Sequence, residues 1–168
     1  MDRDELRSLQ APLKQKYRDA PASAIVTLRA SGEATGVLTC TIATGKALVE
    51  AGLHPAAGGD GTVACSGDML LEALVACAGV TLRAVATALG IEVRHATVTA
   101  EGDLDFRGTL GVSKEAPVGF SEIRLQFVLD TDAGEEERAN LLRLTERYCV
   151  VLQTLRRPPA IRTSQTAR

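Results

Sequence analysis

Tryptophan is absent from this chain of 168 residues, and the other aromatics amount to two tyrosines and three phenylalanines. At 3% aromatic content, base-stacking platforms and aromatic cages have almost nothing to be built from, so the core must be Leu, Val, Ile and Ala. Neither sign of charge dominates. With 19 basic against 21 acidic side chains the net charge is only -2, which argues for no nucleic-acid surface and no anionic membrane; small molecules or proteins are the expected partners. No apolar run reaches the roughly 20 residues needed to cross a bilayer. The most apolar stretch, Met69 to Leu82, is interrupted by Glu72, and no membrane span is expected. Met1 to Tyr17 carries charges throughout and lacks the apolar stretch of a secretory signal, so a cytoplasmic location is the expectation.

Cysteine pairs are missing too. Cys40, Cys65, Cys77 and Cys149 never form a C-x-x-C, and in a reducing compartment they are expected as free thiols rather than a disulfide framework. The two histidines, His54 and His95, are isolated from each other and from further ligands at metal spacing. Packing or surface roles suit both, and neither a metal nor a cofactor is assigned. Gly58, Gly59 and Gly61 precede a helix but belong to neither G-x-x-x-x-G-K-[ST] nor G-x-G-x-x-G, so they read as a flexible loop.

What remains is ordinary globular usage, 45% hydrophobic and 24% charged, long enough for one domain over residues 1–168 with a core of its own. Leu6, Leu9, Leu13 and Tyr17 recur at steps of three and four, predicting a peripheral N-terminal helix within residues 1–20. Ile25, Val26 and Thr27 predict a strand over 24–30 and Val37 to Thr44 a second, joined as a hairpin whose tip is Ser31 to Gly36. A third short strand is expected at Lys46 to Glu50, followed by a glycine-rich loop without regular structure. Ser66 as N-cap, Asp68 in the first turn and Gly90 as stop predict a helix over 67–89. It is apolar nearly all round except for a stripe of Asp68, Glu72, Ala76, Gly79 and Arg83, where a second copy of the chain could approach closely. Strands are expected at 91–100, 103–110 and 122–130, the last with Ile123, Leu125, Phe127 and Leu129 on one face. Asp132 with Glu135 reads as a capping-box variant opening a second long helix over 133–155, ended by Pro158-Pro159. Residues 160–168 read as a flexible tail, and its arginines, Arg156 to Arg168, are given no function.

The fold class is therefore α+β, with a cysteine in the middle of each long helix. A helical cysteine on an apolar face is most often packing. If these two are chemical, Cys77 lies too far from its helix N-terminus for the dipole to activate it, so help must come from elsewhere in the fold. Cys149 has Glu146 one turn back, which disfavours a thiolate there. Cys77 is then the better nucleophile and Cys149 the better resolving thiol.

Residues Cys65-Ser66-Gly67-Asp68-Met69-Leu70-Leu71-Glu72-Ala73-Leu74-Val75-Ala76-Cys77-Ala78 and Thr145-Glu146-Arg147-Tyr148-Cys149-Val150-Val151 resemble the two cysteine helices of the OsmC/Ohr family, over roughly residues 24–159. The resemblance implies an OsmC-like fold: antiparallel sheets around two long cysteine-bearing helices, in an intertwined homodimer. It implies a thiol-dependent hydroperoxide reductase, with Cys77 attacking an organic or inorganic peroxide, Cys149 closing a disulfide, and an external dithiol as reductant. The alternative is a non-catalytic dimeric binding or stress-response protein of the same fold. Some positions depart from the family's pattern. The hairpin tip holds no arginine, Arg29 standing just outside it, while Asp68 stands near the place of a glutamate that helps to hold the thiolate and so joins the catalytic candidates. Val150 replaces a proline, and Cys65 is an additional thiol.

Overall fold

The computed structural model describes residues 2–5, 8, 11, 19, 31–34, 39–43, 48–111 and 113–167. The predicted strand at 24–30 lies outside them, as do Leu6, Leu9, Leu13, Tyr17 and Arg29. Of the predicted N-terminal helix, residues 3–5, 8, 11 and 19 are helical, and Asp2 and Glu5 exchange side-chain to backbone bonds of 2.8 Å in each direction, a reciprocal cap.

A four-stranded sheet comes first: β1 (Ser31–Ala34), β2 (Thr39–Ala43), β3 (Leu48–Gly52) and β4 (Ala64–Cys65), antiparallel except for the parallel β3–β4 pair. The expected hairpin tip is thus corrected. Ser31 to Ala34 pairs with Cys40 to Ala43, so these four residues of the expected tip are strand. Turn-prone Ser31-Gly32 yields to the ladder, because β2 is held on its other edge by β3. The glycine-rich loop is likewise more regular than expected: it contains a 3-10 turn at Pro55–Ala57, capped by His54, whose Nδ1 accepts from the Ala56 N–H at 3.0 Å.

Helix α1 (Ser66–Leu89) follows directly, with Cys65 rather than Ser66 at the N-cap, and it stops at Gly90, whose φ of 71° is the left-handed turn that glycine adopts without strain. Its 24 residues are long and apolar enough to cross a bilayer by length and composition, beyond the Met69 to Leu82 stretch considered above. Instead Leu74, Ala78, Leu82 and Ala86 are buried at steps of four against the rest of the protein. Gly79, placed above in the stripe for a second copy, faces Val98 of its own chain, 3.9 Å from where a Cβ would stand. Arg83 from that stripe donates to the Val93 carbonyl. Asp68, Glu72, Ala76 and Arg83 of the stripe are exposed, and the uncovered face of α1 extends from them over Leu70, Ala73, Val80, Ala84 and Ala88, with Val80 72% exposed.

Strands β5 (His95–Leu104) and β6 (Phe120–Asp130) form a two-stranded antiparallel sheet with alternating burial. Ile123, Leu125, Phe127 and Leu129 face inward, as their alternation predicts. The strand expected at 103–110 is corrected: β5 runs on to Leu104, and Phe106–Thr109 is one helical turn, α2. Asp105 caps it by accepting from the Arg107 N–H at 3.0 Å and pairs with the Arg107 guanidinium at 2.5 Å, which outweighs the period-two pattern.

The second long helix is also corrected. It is two helices, α3 (Glu135–Tyr148) and α4 (Val150–Arg156), broken at Cys149. Gly134, not Asp132, precedes α3 as its cap, with the Glu137 side chain accepting from the Gly134 N–H at 2.9 Å. Asp132 pairs with Arg94 at 2.6 Å instead. Residues 158–167 are exposed and without regular structure.

Candidate functional site

Cys149 is extended (φ -70°, ψ 107°) and serves both helices: its N–H donates to Thr145 O at 2.9 Å and its carbonyl accepts from Gln153 N at 2.9 Å. A break of this kind leaves amides and carbonyls without intrahelical partners. The Glu146 carbonyl is satisfied by Gln153 Nε2 at 2.7 Å, and the Glu146 carboxylate by Arg156 at 2.8 Å. On the donor side, the first amides of α4, Val150 and Val151, have no intrahelical acceptor, and Val151 packs in the same core cluster as Cys77.

Cys77 sits about three turns into α1, half-buried, packed against the core cluster of Leu74, Ala78, Cys149 and Leu152. Cys149 is fully buried in that cluster. Burial works against a thiolate at Cys77. The Val151 N–H, the Cys149 thiol and the Val150 N–H outweigh it and hold Cys77 below the ordinary thiol range, while the Thr81 hydroxyl donates to the Cys77 carbonyl at 2.7 Å. Cys149 moves the other way, pushed up first by burial and then by the neighbouring Cys77 sulfur, against the pull of the Leu152 N–H. The negative charge expected above to disfavour a thiolate at Cys149 does not operate here. Glu146 is neutralised by Arg156, and desolvation raises Cys149. The signal that sequence reasoning lacked is the break itself; Val150, in place of a proline, supplies one of the two amides.

Two thiols packed in one core cluster, one predisposed to ionise and one held protonated, can act as nucleophile and resolving group. Asp68 is not brought to them: it lies exposed in the first turn of α1, nine residues or about 14 Å of helix before Cys77. It lines a cavity of about 320 Å³ with His54, Cys65, Leu71, Phe106 and Phe120. Cys65 is twelve residues, about 18 Å of helix, from Cys77 and far outside the roughly 7 Å Cα separation that a disulfide permits. His54 stacks on Phe106 with ring centroids 5.0 Å apart, and His95 is exposed with Nε2 3.3 Å from Thr97 Oγ1. Among the described residues, no three His, Cys, Asp or Glu side chains are grouped to hold a metal.

The arrangement of strands and helices is similar to several solved structures. An OsmC-like protein from Mycoplasma pneumoniae is 16% identical, with 79% of this chain and 89% of that one aligned at a TM-score of 0.67. An organic hydroperoxide resistance protein OsmC from Legionella pneumophila is 18% identical over 79% and 91% of the two chains, at 0.62. The organic hydroperoxide resistance protein OhrB of Bacillus subtilis is 19% identical over 79% and 93%, at 0.55. These identities speak for the fold alone. No curated protein sequence matches this chain. Residues 59–164, which carry both cysteine helices and the strands between them, match the family described as OsmC-like protein, and the chain belongs to that family.

Proposed function

We propose that the protein is a thiol-dependent hydroperoxide reductase working through Cys77 and Cys149, and that it does so as a homodimer. The observation that carries this reading is the packing of half-buried Cys77 against fully buried Cys149 in one core cluster, with the first favoured as thiolate and the second disfavoured. The Cys77 thiolate attacks the terminal oxygen of the hydroperoxide; the O–O bond breaks, an alkoxide leaves and takes a proton to become the alcohol, and Cys77 becomes a sulfenic acid. The Cys149 sulfur then displaces hydroxide from that sulfenic sulfur, giving a disulfide and water. An external dithiol reduces it to the two thiols and is itself oxidised. Asp68 enters as a charge at the start of the helix, where the dipole favours it, and touches neither sulfur.

One equivalent of cumene hydroperoxide added to the reduced protein should give one equivalent of cumyl alcohol and a Cys77–Cys149 link in the peptide map. Cys77→Ser should abolish consumption, whereas Cys149→Ser should turn over once and then accumulate sulfenic or sulfinic acid at Cys77. Undiminished peroxide consumption by Cys77→Ser would reject the assignment in favour of another thiol, and no consumption by the wild type would favour a non-catalytic protein of this fold.

A further inference from the structure

A helix that stops without proline or glycine needs something else to stop it. Between Tyr148 and Val150 stands only Cys149, and residues 146–153 include none that bars helical backbone. Had α3 run on, the Glu146 carbonyl would accept from the Val150 N–H, four residues later. With Cys149 extended at ψ 107° that pairing is lost, and the carbonyl accepts instead from Gln153 Nε2 at 2.7 Å, across seven residues. The Gln153 side chain thus occupies the acceptor that would otherwise draw Val150 back into α3.

The bond is sheltered where its neighbours are not. Gln153 and Glu146 are half-buried, whereas Arg147 and Tyr148, whose carbonyls the break also orphans, are exposed, so water can serve them. Gln153 is fixed from the far side of the bend as well: its N–H donates to the Cys149 carbonyl at 2.9 Å. One residue therefore holds the last turn of α3 with its side chain and the bend with its backbone. The other link across the break, Arg156 to the Glu146 carboxylate at 2.8 Å, joins two side chains that are about half exposed, and such a pair contributes little. The bend sets the surroundings of Cys149, which is fully buried with Leu152 of α4 in the cluster against which Cys77 packs. Turning ψ of Cys149 to the helical value of about -42° would swing α4, with Leu152 and Leu155, away from that cluster. We propose that Gln153 is a positioning residue for the Cys77 and Cys149 pair: by occupying the Glu146 carbonyl it keeps the chain bent at Cys149 and so keeps Cys149 packed beside Cys77, where it can close the disulfide. The inference rests on the reading of Cys77 and Cys149 as a cycling pair.

Two measurements on the full chain test it. Gln153→Met keeps the length of the side chain, removes the donor and frees the Glu146 carbonyl for Val150. In the reduced protein the Cα and Cβ chemical shifts of Cys149 should then move from extended toward helical values. Adding Val150→Pro should reverse the move, because proline has no N–H to offer and its ring clashes with the carbonyl four residues back, which is that of Glu146. Arg156→Gln should leave the shifts as in the wild type. After cumene hydroperoxide, the share of Cys77 recovered as sulfinic acid rather than as disulfide should rise about fivefold in Gln153→Met, the population change that one ordinary hydrogen bond produces, and should return to the level of Val150→Pro alone in Val150→Pro/Gln153→Met. A general loss of stability would persist in that double variant. Unchanged Cys149 shifts in folded Gln153→Met, or a move that Val150→Pro does not reverse, overturns the inference, and an unchanged sulfinic share beside displaced shifts overturns its link to disulfide closure. If the wild type forms no Cys77 to Cys149 disulfide with peroxide, the cycling pair fails, and the shifts of the reduced protein still decide whether Gln153 holds the bend.

Discussion

Replacing Val150 by proline tests the source of Cys77's reactivity at one atom. Proline removes the Val150 N–H, the change that restores the residue of the family pattern. Position 150 is the first of α4, where proline's missing donor and fixed φ are tolerated, and Cys149 before it is already extended. The side chain is 70% exposed, so little packing is lost. A hydrogen bond to a charged acceptor is worth about 1.5–3 kcal/mol. Cys77 is half-buried and keeps the Val151 amide, so the lower end applies, and about 1.4 kcal/mol is tenfold in the thiolate fraction at a pH below the transition. The more basic thiolate is intrinsically more nucleophilic, with a Brønsted slope of about 0.4–0.5, which returns roughly threefold. The net expectation is a fall of about threefold in the alkylation rate of Cys77 by iodoacetamide, read from the Cys77 peptide by mass spectrometry, with the pH profile displaced upward. The sign follows from the stabilised form: hydrogen bonds to the thiolate extend reactivity to lower pH, and removing one shortens that range. Val150→Ala, which keeps the amide, should match the wild type. Coincident profiles for folded Val150→Pro and wild type would refute the amide account.

Other consequences are open to direct measurement. The uncovered face of α1, with Leu70, Ala73, Val80, Ala84 and Ala88, should be buried by a second copy, so light scattering at micromolar concentration should give the dimer mass and Val80→Glu should shift it toward the monomer. A monomeric wild type would end that proposal. A Cβ at Gly102 would stand 2.6 Å from the Phe120 ring, so Gly102→Ala should lower stability by about 1–3 kcal/mol in denaturant unfolding. An unchanged midpoint would mean that the ring moves aside at no cost.

The elements were legible where one signal dominated. Gly90 and the buried steps from Leu74 to Ala86 define α1, and alternation defines β6, because burial on one side leaves a periodic trace. The misses came from competition. At Asp105 a local cap beat alternation, at Ser31-Gly32 strand pairing beat turn propensity, and at Cys149 an apolar run that reads as continuous helix is broken with no proline or glycine to announce it. That last miss hid the chemistry: both thiols could be found in the sequence, but the donors that favour a thiolate at Cys77 are backbone amides, which every residue but proline carries and no pattern distinguishes.

The packing of Cys77 against Cys149 also bears on how long a peroxidase built on this pair would survive its substrate. A sulfenic acid at Cys77 would be born beside its resolving partner, so its lifetime would be governed by an intramolecular reaction rather than by an opening of the chain. Well-oriented groups reach effective concentrations of about 10⁵ M or more, whereas a second peroxide competes for the same sulfur at millimolar levels at most. The fraction lost to sulfinic acid in each cycle would then be small and proportional to the peroxide present. Inactivation would accumulate as a count of turnovers, with no threshold concentration at which the protein suddenly fails.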